Sequence, residues 1–166
     1  LGEQGEICFR GYHVMRGYHG MPEATAEAID VNGWLHSGDL GVMDGDGYVA
    51  ITGRLKEMVI RGGENIYPAE IEGLLNDHPK VTSVSVVGYP DREMGERACA
   101  YVIPKSGQDF TFDEMVKFLK GKQLAMYKLP ERLEVVPEFP AVGDSGKVNK
   151  ETLKKMIAEK VKQESG

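Results

Sequence analysis

"GRLKEMVIRGGENIYPAEIE" (residues 53–72) is the stretch of sequence that decides the fold. A short apolar run leads into the glycine pair Gly62-Gly63, and Pro68 then begins an acidic segment. Proline at a first helical turn, with carboxylates near the positive end of the helix dipole, is typical of a helix start. The apolar residues that follow have helical spacing: Ile71, Leu74 and Leu75. The stretch therefore predicts a strand that ends near the glycine pair and a helix that begins at Pro68.

Paired glycines after a strand raise the possibility of a phosphate-binding loop. Such a loop needs four residues between its glycines, followed by lysine and a hydroxyl residue for magnesium. "GGEN" (62–65) has neither feature, and "GDSGKV" (143–148) has only two intervening residues and Val148 in place of the hydroxyl. Neither is a Walker loop. Lys147 could swing its charge into a cleft or simply face solvent, and its loop alone leaves both interpretations open.

The rest of the chain predicts an α+β protein, in which helices cover a short sheet after a β-rich beginning. Thr111 and Glu114 have the spacing of a capping box. We expect strands at 6–10, 33–36, 47–52, 81–89, 97–104 and 132–137, and helices at 22–29, from 68, around 112–119, around 124–127 and over the last residues.

Metal binding is not indicated by the spacing of potential ligands. Cys8 and Cys99 form no CxxC motif, and we expect two buried thiols in a reducing compartment. The four histidines show no HExxH spacing, and no GxSxG elbow is present. "MDGDGY" (43–48) resembles the start of a calcium loop but lacks its later ligands, so a hairpin turn is favoured.

Charge and hydropathy exclude several partners. The net charge is −6, with 26 acidic and 20 basic side chains, which gives no electrostatic case for nucleic acid. No apolar run approaches the roughly 18 residues that span a membrane, and no signal peptide is evident, so we expect a cytoplasmic protein. The chain begins with Leu1 and runs directly into a predicted strand, which suggests a piece of something longer.

"WLHSGDLG" (34–41) follows a predicted strand with Ser-Gly-Asp. The absence of a side chain at Gly38 can leave the Asp39 carboxylate accessible to a ligand. Two carboxylate oxygens suit the adjacent hydroxyls of a ribose, although aspartate is also common as a turn residue that bonds its own backbone. Both interpretations stay open for Asp39 on its own.

The order of these motifs resembles the adenylate-forming enzyme superfamily. "GEICFRGYHVMRGYHGMPEATAEAID" (5–30), "GWLHSGDLG" (33–41) and residues 53–72 are similar to fatty acyl-CoA ligases of the medium- and long-chain type. The resemblance implies that residues 1–54 are the tail of a large AMP-binding domain, its distorted β-barrel part, and that residues 55–166 are the mobile C-terminal domain. It also implies a missing N-terminal domain.

The same resemblance implies roles for individual residues. Asp39 and Arg54 would bind the ribose and phosphate of ATP and then AMP, and Lys56 would be the hinge. Lys147 would be the catalytic lysine of adenylation. Gly62 and Gly63 would line the path of the CoA pantetheine.

The implied reaction joins a fatty acid to CoA, with ATP converted to AMP and pyrophosphate and with Mg²⁺ ligands expected upstream of this chain. We expect the fragment alone to be inactive. Two alternatives remain: an adenylation domain that loads a carrier-protein phosphopantetheine, and a non-catalytic interaction module. Exposed apolar strand faces in residues 1–54 also allow a homo-oligomer.

Overall fold

The computed structural model describes residues 1–143 and 146–164 of the chain. Two compact units are present, Leu1–Lys56 and Glu57–Gly166. The division between them falls within a 3-10 turn, Leu55–Glu57. Helices combined with largely antiparallel sheets confirm the predicted α+β class. Within the described ranges, no helix is both long enough and apolar enough to cross a membrane.

The first unit is a three-stranded antiparallel sheet in the order β1-β2-β3, with one helix. Its elements are β1 Gln4–Phe9, α1 Pro22–Ala28, β2 Leu35–Met43 and β3 Val49–Arg54. The carboxylate of Asp44 accepts hydrogen bonds from the backbone N–H groups of Asp46 and Tyr48, at 3.0 and 2.9 Å. This Asx-type bonding closes the β2–β3 connection and confirms a hairpin turn at "MDGDGY".

Strand β2 is longer than the sequence predicts. The expected strand ends at His36, whereas β2 continues through Asp39 to Met43. Its pairing register shifts against β1 and again against β3, so the strand is irregular where the Ser-Gly-Asp sequence lies. Gly38 has φ +73°, a left-handed conformation that glycine adopts without strain. Gly38 is part of a bulge-like irregularity within the strand.

The second unit is built on a five-stranded sheet. Its strands are β4 Val59–Arg61, β5 Glu64–Ile66, β6 Val81–Asp91, β7 Gly95–Pro104 and β8 Arg132–Val135, and its helices are α2 Pro68–Asn76, α3 Phe112–Gly121 and α4 Lys150–Glu164. Strand β7 pairs with β6, β4 and β8, and among the described residues of this sheet only the β7–β8 pairing is parallel.

The sheet of the second unit is buried on both faces. One face packs against α2 and α3 through a cluster that includes Ile71, Leu75, Val86, Met115 and Leu119. The opposite face packs against α4 through the cluster Val87, Tyr89, Cys99, Tyr101, Leu153 and Ile157. Alternation along β6 divides its side chains between these two clusters, as the two-residue period of a strand requires.

Helix ends in the second unit follow local sequence rules. The capping box is present, because Thr111 Oγ1 accepts from the Glu114 N–H and the Glu114 side chain accepts from the Thr111 N–H. The predicted helix around 124–127 is instead a 3-10 turn, Met126–Lys128. It follows Gln123, which has φ +62° and ends the preceding helical path.

Candidate nucleotide and hinge site

Asp39 and Arg54 are cross-strand neighbours on β2 and β3. The Nε atom of Arg54 donates to Asp39 Oδ1 at 2.9 Å, and the two side chains are 52% and 33% exposed. The sequence-predicted pair is therefore in direct contact within the first unit. The contact uses one carboxylate oxygen of Asp39. The pair can therefore present a carboxylate that accepts hydrogen bonds beside a guanidinium that donates them, which suits a ribose next to a phosphate.

Three hydrogen bonds hold the backbone that carries Asp39. Ser37 Oγ donates to the Ile7 carbonyl at 2.6 Å and accepts from the Asp39 N–H at 3.0 Å. Glu6 Oε1 accepts from the Gly38 N–H at 3.0 Å. The irregular part of β2 is thereby tied to β1 at Ser37 and Gly38, and Asp39 is tied to Ser37 within β2. Sequence reasoning missed Glu6, although its place two residues before Cys8 puts it on the face of β1 that Cys8 shares.

Lys56 is the last residue of the first unit and lies in the 3-10 turn between the units. It is exposed. Residues at the ends of elements are the ones that absorb large backbone rotations in hinge motions, so the position of Lys56 is compatible with the expected pivot.

Gly62 and Gly63 form the two-residue loop between β4 and β5. Their φ angles are +58° and +87°, which match the two central positions of a type I′ hairpin turn. The Gly62 N–H also donates to the Met94 carbonyl at 2.7 Å, and a Cβ at Gly62 would lie 2.6 Å from the Met94 Cε atom. The positive φ angles of the turn therefore favour glycine at both positions, independently of any ligand.

Lys147 lies at the end of a short closed loop. The Val142 N–H donates to the Lys147 carbonyl at 2.8 Å, and Ala141 forms an antiparallel bridge with Val148. These contacts fix the base of the loop and leave Lys147 exposed. Of the expected Ser-Gly-Lys motif, Ser145 lies outside the described residues.

Lys150 is a charged residue to which sequence reasoning gave no role in the site. It begins α4, and its Nζ atom lies 2.5 Å from Glu57 and 2.9 Å from Glu72. Glu72 also accepts from the Val86 N–H of β6 at 2.7 Å. The sequence feature that could have indicated these ion pairs is the position of Glu57 beside the predicted hinge. Asp39 and Arg54 thus belong to the first unit, while Lys147, the glycine turn and this ion-pair group belong to the second.

A second polar cluster lies in the first unit and was also missed. The Nδ1 atom of His36 lies 2.8 Å from Glu6 Oε2 and 3.6 Å from Cys8 Sγ. The hydrogen bond with Glu6 raises the pKa of His36 and lowers the pKa of Glu6. Burial, reinforced by the charges of Glu6 and Asp30, raises the pKa of the Cys8 thiol.

The two cysteines differ in their surroundings. Cys99 is buried in the second unit, as expected. Cys8 is only partly buried, which corrects the expectation of two buried thiols. The reason is that β1 lies at the edge of a small three-stranded sheet, where one face of a strand is not fully covered.

An open cleft of about 680 Å³ adjoins this cluster in the first unit. It is bordered by Glu6, His36, Ser37 and Gly38 on the sheet side, and by α1 residues and Leu55-Lys56 on the others. Its volume is in the range of small-molecule pockets. The cleft therefore gives solvent and small ligands access to the backbone that positions Asp39.

Residues 70–147 match the AMP-binding enzyme C-terminal domain. The chain belongs to the AMP-binding, adenylate-forming enzyme family. Its expected membership is thus confirmed, and the matched region ends at Lys147.

Similar proteins support this membership. The chain is 50% identical over 158 residues to the putative acyl-CoA synthetase YngI of Bacillus subtilis, covering 95% of this chain and 28% of that protein. It is 45% identical over 157 residues to the human mitochondrial medium-chain acyl-CoA ligase ACSF2, covering 95% of this chain and 25% of that protein. The crystal structure of ATP-bound MatB from Rhodopseudomonas palustris has TM-score 0.87 at 36% identity, covering 95% of this chain and 31% of that one. The chain therefore spans between a quarter and three tenths of the length of these curated relatives.

Proposed function

We propose that this chain is the C-terminal part of an AMP-forming acid–thiol ligase, which makes acyl-CoA from a fatty acid, ATP and CoA through an acyl-adenylate. The observation that carries the proposal is the 45–50% identity to acyl-CoA ligases over 95% of the chain. The fatty acid is the finer part of the proposal, and it is supported by the similarity to a medium-chain ligase.

The geometry of the first unit fits a nucleotide. The paired Asp39 and Arg54 offer acceptor and donor groups side by side, on a strand irregularity fixed by Ser37 and Glu6. Asp39 would accept hydrogen bonds from the ribose hydroxyls, and the Arg54 guanidinium would stabilise the negative charge of the phosphate. In this proposal residues 1–54 complete a large AMP-binding domain, whose remaining part carries the acyl pocket and the Mg²⁺ ligands.

The second unit would serve the two half-reactions with two different faces. Lys147, on its closed loop, would stabilise the charge that develops when the acid attacks the α-phosphate. After rotation about Lys56, the turn at Gly62-Gly63 would approach the adenylate along the path of the CoA thiol. The left-handed φ angles of this turn exclude most side chains there, which keeps the narrow backbone surface that a pantetheine arm needs.

The experiment that tests the proposal uses the longer protein that contains this chain. Acid-dependent exchange of pyrophosphate into ATP should occur with medium-chain fatty acids and should exceed exchange with aromatic acids. Addition of CoA should then release AMP and acyl-CoA. If no carboxylic acid supports exchange, the proposal is wrong, and if the acyl group passes only to a holo carrier protein, the carrier-loading alternative replaces it.

A second measurement concerns the 166-residue chain by itself. We expect no acid-dependent exchange, because the proposal places the acyl pocket and the phosphate-binding loop elsewhere. Exchange by the purified chain would contradict that assignment. Wild-type rates in a longer protein that carries Asp39→Ala would instead favour the non-catalytic interpretation of this region.

A further inference from the structure

We propose that Glu6, Cys8 and His36 form a binding site for a zinc-like divalent transition-metal ion in the first unit. The potential ligand atoms of these three residues all lie within 4.8 Å of one another. The sequence indicates no metal site, because the ligands are two residues apart on one strand and then separated by a long segment, unlike the compact spacings of known motifs.

The strand pairing explains why these side chains meet. Cys8 and His36 are directly opposite each other on β1 and β2. Glu6 precedes Cys8 by two residues, and the pairing shift between them still keeps both side chains beside the His36 ring. Two of the ligands therefore come from one strand and the third from its neighbour, so the site is held by backbone hydrogen bonds of the sheet.

The distances are close to those a tetrahedral ion requires. Zinc bonds of about 2.0–2.3 Å at tetrahedral angles place neighbouring ligand atoms roughly 3.3–3.6 Å apart. The Cys8 Sγ–His36 Nδ1 distance is already 3.6 Å. The Glu6 Oε2–His36 Nδ1 distance is 2.8 Å, so these two atoms need to separate by about half an ångström, a shift within side-chain freedom.

The type of ligand selects the type of metal. A thiolate together with an imidazole and a carboxylate suits zinc and its neighbours, whereas magnesium and calcium prefer oxygen ligands alone. Three protein ligands leave one position for water or another small ligand, as in open zinc sites. The adjoining cleft, which Glu6 and His36 border, gives access to that position.

Asp30 is placed to orient the histidine. Its Oδ2 atom lies 3.8 Å from His36 Nε2, on the side of the ring opposite Nδ1. Metal-binding histidines generally direct their second ring nitrogen to a carboxylate, which fixes the tautomer and the ring orientation. With Nδ1 bound to the ion, the Nε2–H group would face Asp30. Asp30 itself is held by the N–H groups of Asn32 and Trp34, each at 2.9 Å.

The test is a zinc titration of the 166-residue chain against a chromophoric chelator, with far-UV circular dichroism and Trp34 fluorescence to verify that each variant is folded. Wild type should bind one equivalent. Cys8→Ser and His36→Ala should each weaken binding at least tenfold, and Asp30→Asn should weaken it by about tenfold. His13→Ala and Cys99→Ser are matched controls that should bind as wild type does.

Cobalt provides the second measurement, because a cobalt–thiolate bond produces a charge-transfer band in the near ultraviolet. The band should be present in wild type and in Cys99→Ser and absent in folded Cys8→Ser. Absence of one-equivalent zinc binding, equal affinity in Cys8→Ser, or a cobalt complex without the thiolate band would each overturn the proposal. These outcomes do not depend on ligase activity.

Discussion

The ammonium group of Lys150 lies 2.5 Å from the carboxylate of Glu57, the residue that follows Lys56 in the chain. Lys150 also contacts Glu72 of α2 at 2.9 Å, so one side chain joins the start of α4, α2 and the segment just beyond the proposed pivot. All three side chains are less than a third exposed. The second unit is therefore braced beside the proposed hinge.

Lys150→Met should destabilise the second unit by about 2 kcal/mol, because it leaves two partly buried carboxylates without their cation. Urea unfolding followed by circular dichroism measures the effect. The matched control is Lys154→Met, which removes a lysine from the same helix. The Nζ atom of Lys154 lies 3.6 Å from Oε1 of Glu151, and the Glu151 side chain is 78% exposed. That change should cost less than about 1 kcal/mol. Equal costs for the two variants would show that the contacts of Lys150 are no stronger than those of a surface pair.

Gly63→Ala should destabilise the β4–β5 hairpin by roughly 1–2 kcal/mol, because alanine is strained at φ +87°. Gly63→Asn should cost less, since asparagine tolerates the left-handed region. The control is Gly73→Ala in α2, where a Cβ meets no atom within 4 Å and φ is not positive. This control should stabilise the protein by up to about 1 kcal/mol. A neutral Gly63→Ala would contradict the assigned turn, and a destabilising Gly73→Ala would contradict the placement of Gly73 in α2 with open space around it.

The stability of the second unit should depend on pH through the protonation of His78. Its ring packs edge-on against Phe110 and Phe118, with centroid distances of 4.9 and 4.6 Å. Burial lowers the pKa of His78; the charge of Glu114 opposes this shift, and the charges of Lys80 and Lys105 reinforce it. The unfolded chain then binds a proton more readily than the folded one. Stability is therefore full above about pH 6.5 and falls as the pH drops from there toward the lowered folded pKa.

Hydrogen exchange of β6 and β7 amides between pH 5 and 8 tests this sign, because it reports the second unit alone. The free energy of unfolding should rise with pH more steeply in the wild type than in His78→Gln. The difference in slope should be at most about 1.4 kcal/mol per pH unit, the limit for one proton. Restricting the probe to one unit matters, because Glu6 raises the pKa of His36 in the first unit and makes the opposite contribution. An unchanged slope in His78→Gln would contradict the prediction.

Local rules explain how much of this fold the sequence could predict. The capping box at Thr111 and the proline-led helix at Pro68 depend on neighbours a few residues away, and both were predictable. The predicted strand at 33–36 is shorter than β2, because Ser37 and Glu6 hold the segment around Gly38 beside β1 through contacts between residues distant in sequence. Contacts between residues distant in sequence are not visible in a local pattern.

The same limit applies to the candidate site. The family resemblance indicated Asp39 and Arg54, and the structure places them in contact across two strands. The ion pairs of Lys150 and the cluster of Glu6, Cys8 and His36 were missed, because each depends on strand register or helix placement. For Gly62-Gly63 the missing information was structural. The sequence suggested a ligand, whereas the positive φ angles give a structural reason for both glycines.

Lys147→Ala in the longer protein should separate the two half-reactions. The exposed loop position of Lys147 suits a charge that reaches the α-phosphate only in the adenylation geometry. Loss of one such donor typically lowers a rate by about 10²–10³, so pyrophosphate exchange should fall by that factor. Thioester formation from supplied acyl-adenylate and CoA should change by only a few-fold. Lys105→Ala, at an exposed lysine that is followed by Ser106-Gly107, is the control and should leave both rates intact. Equal loss in the two half-reactions of Lys147→Ala would point to a structural lysine that holds the loop.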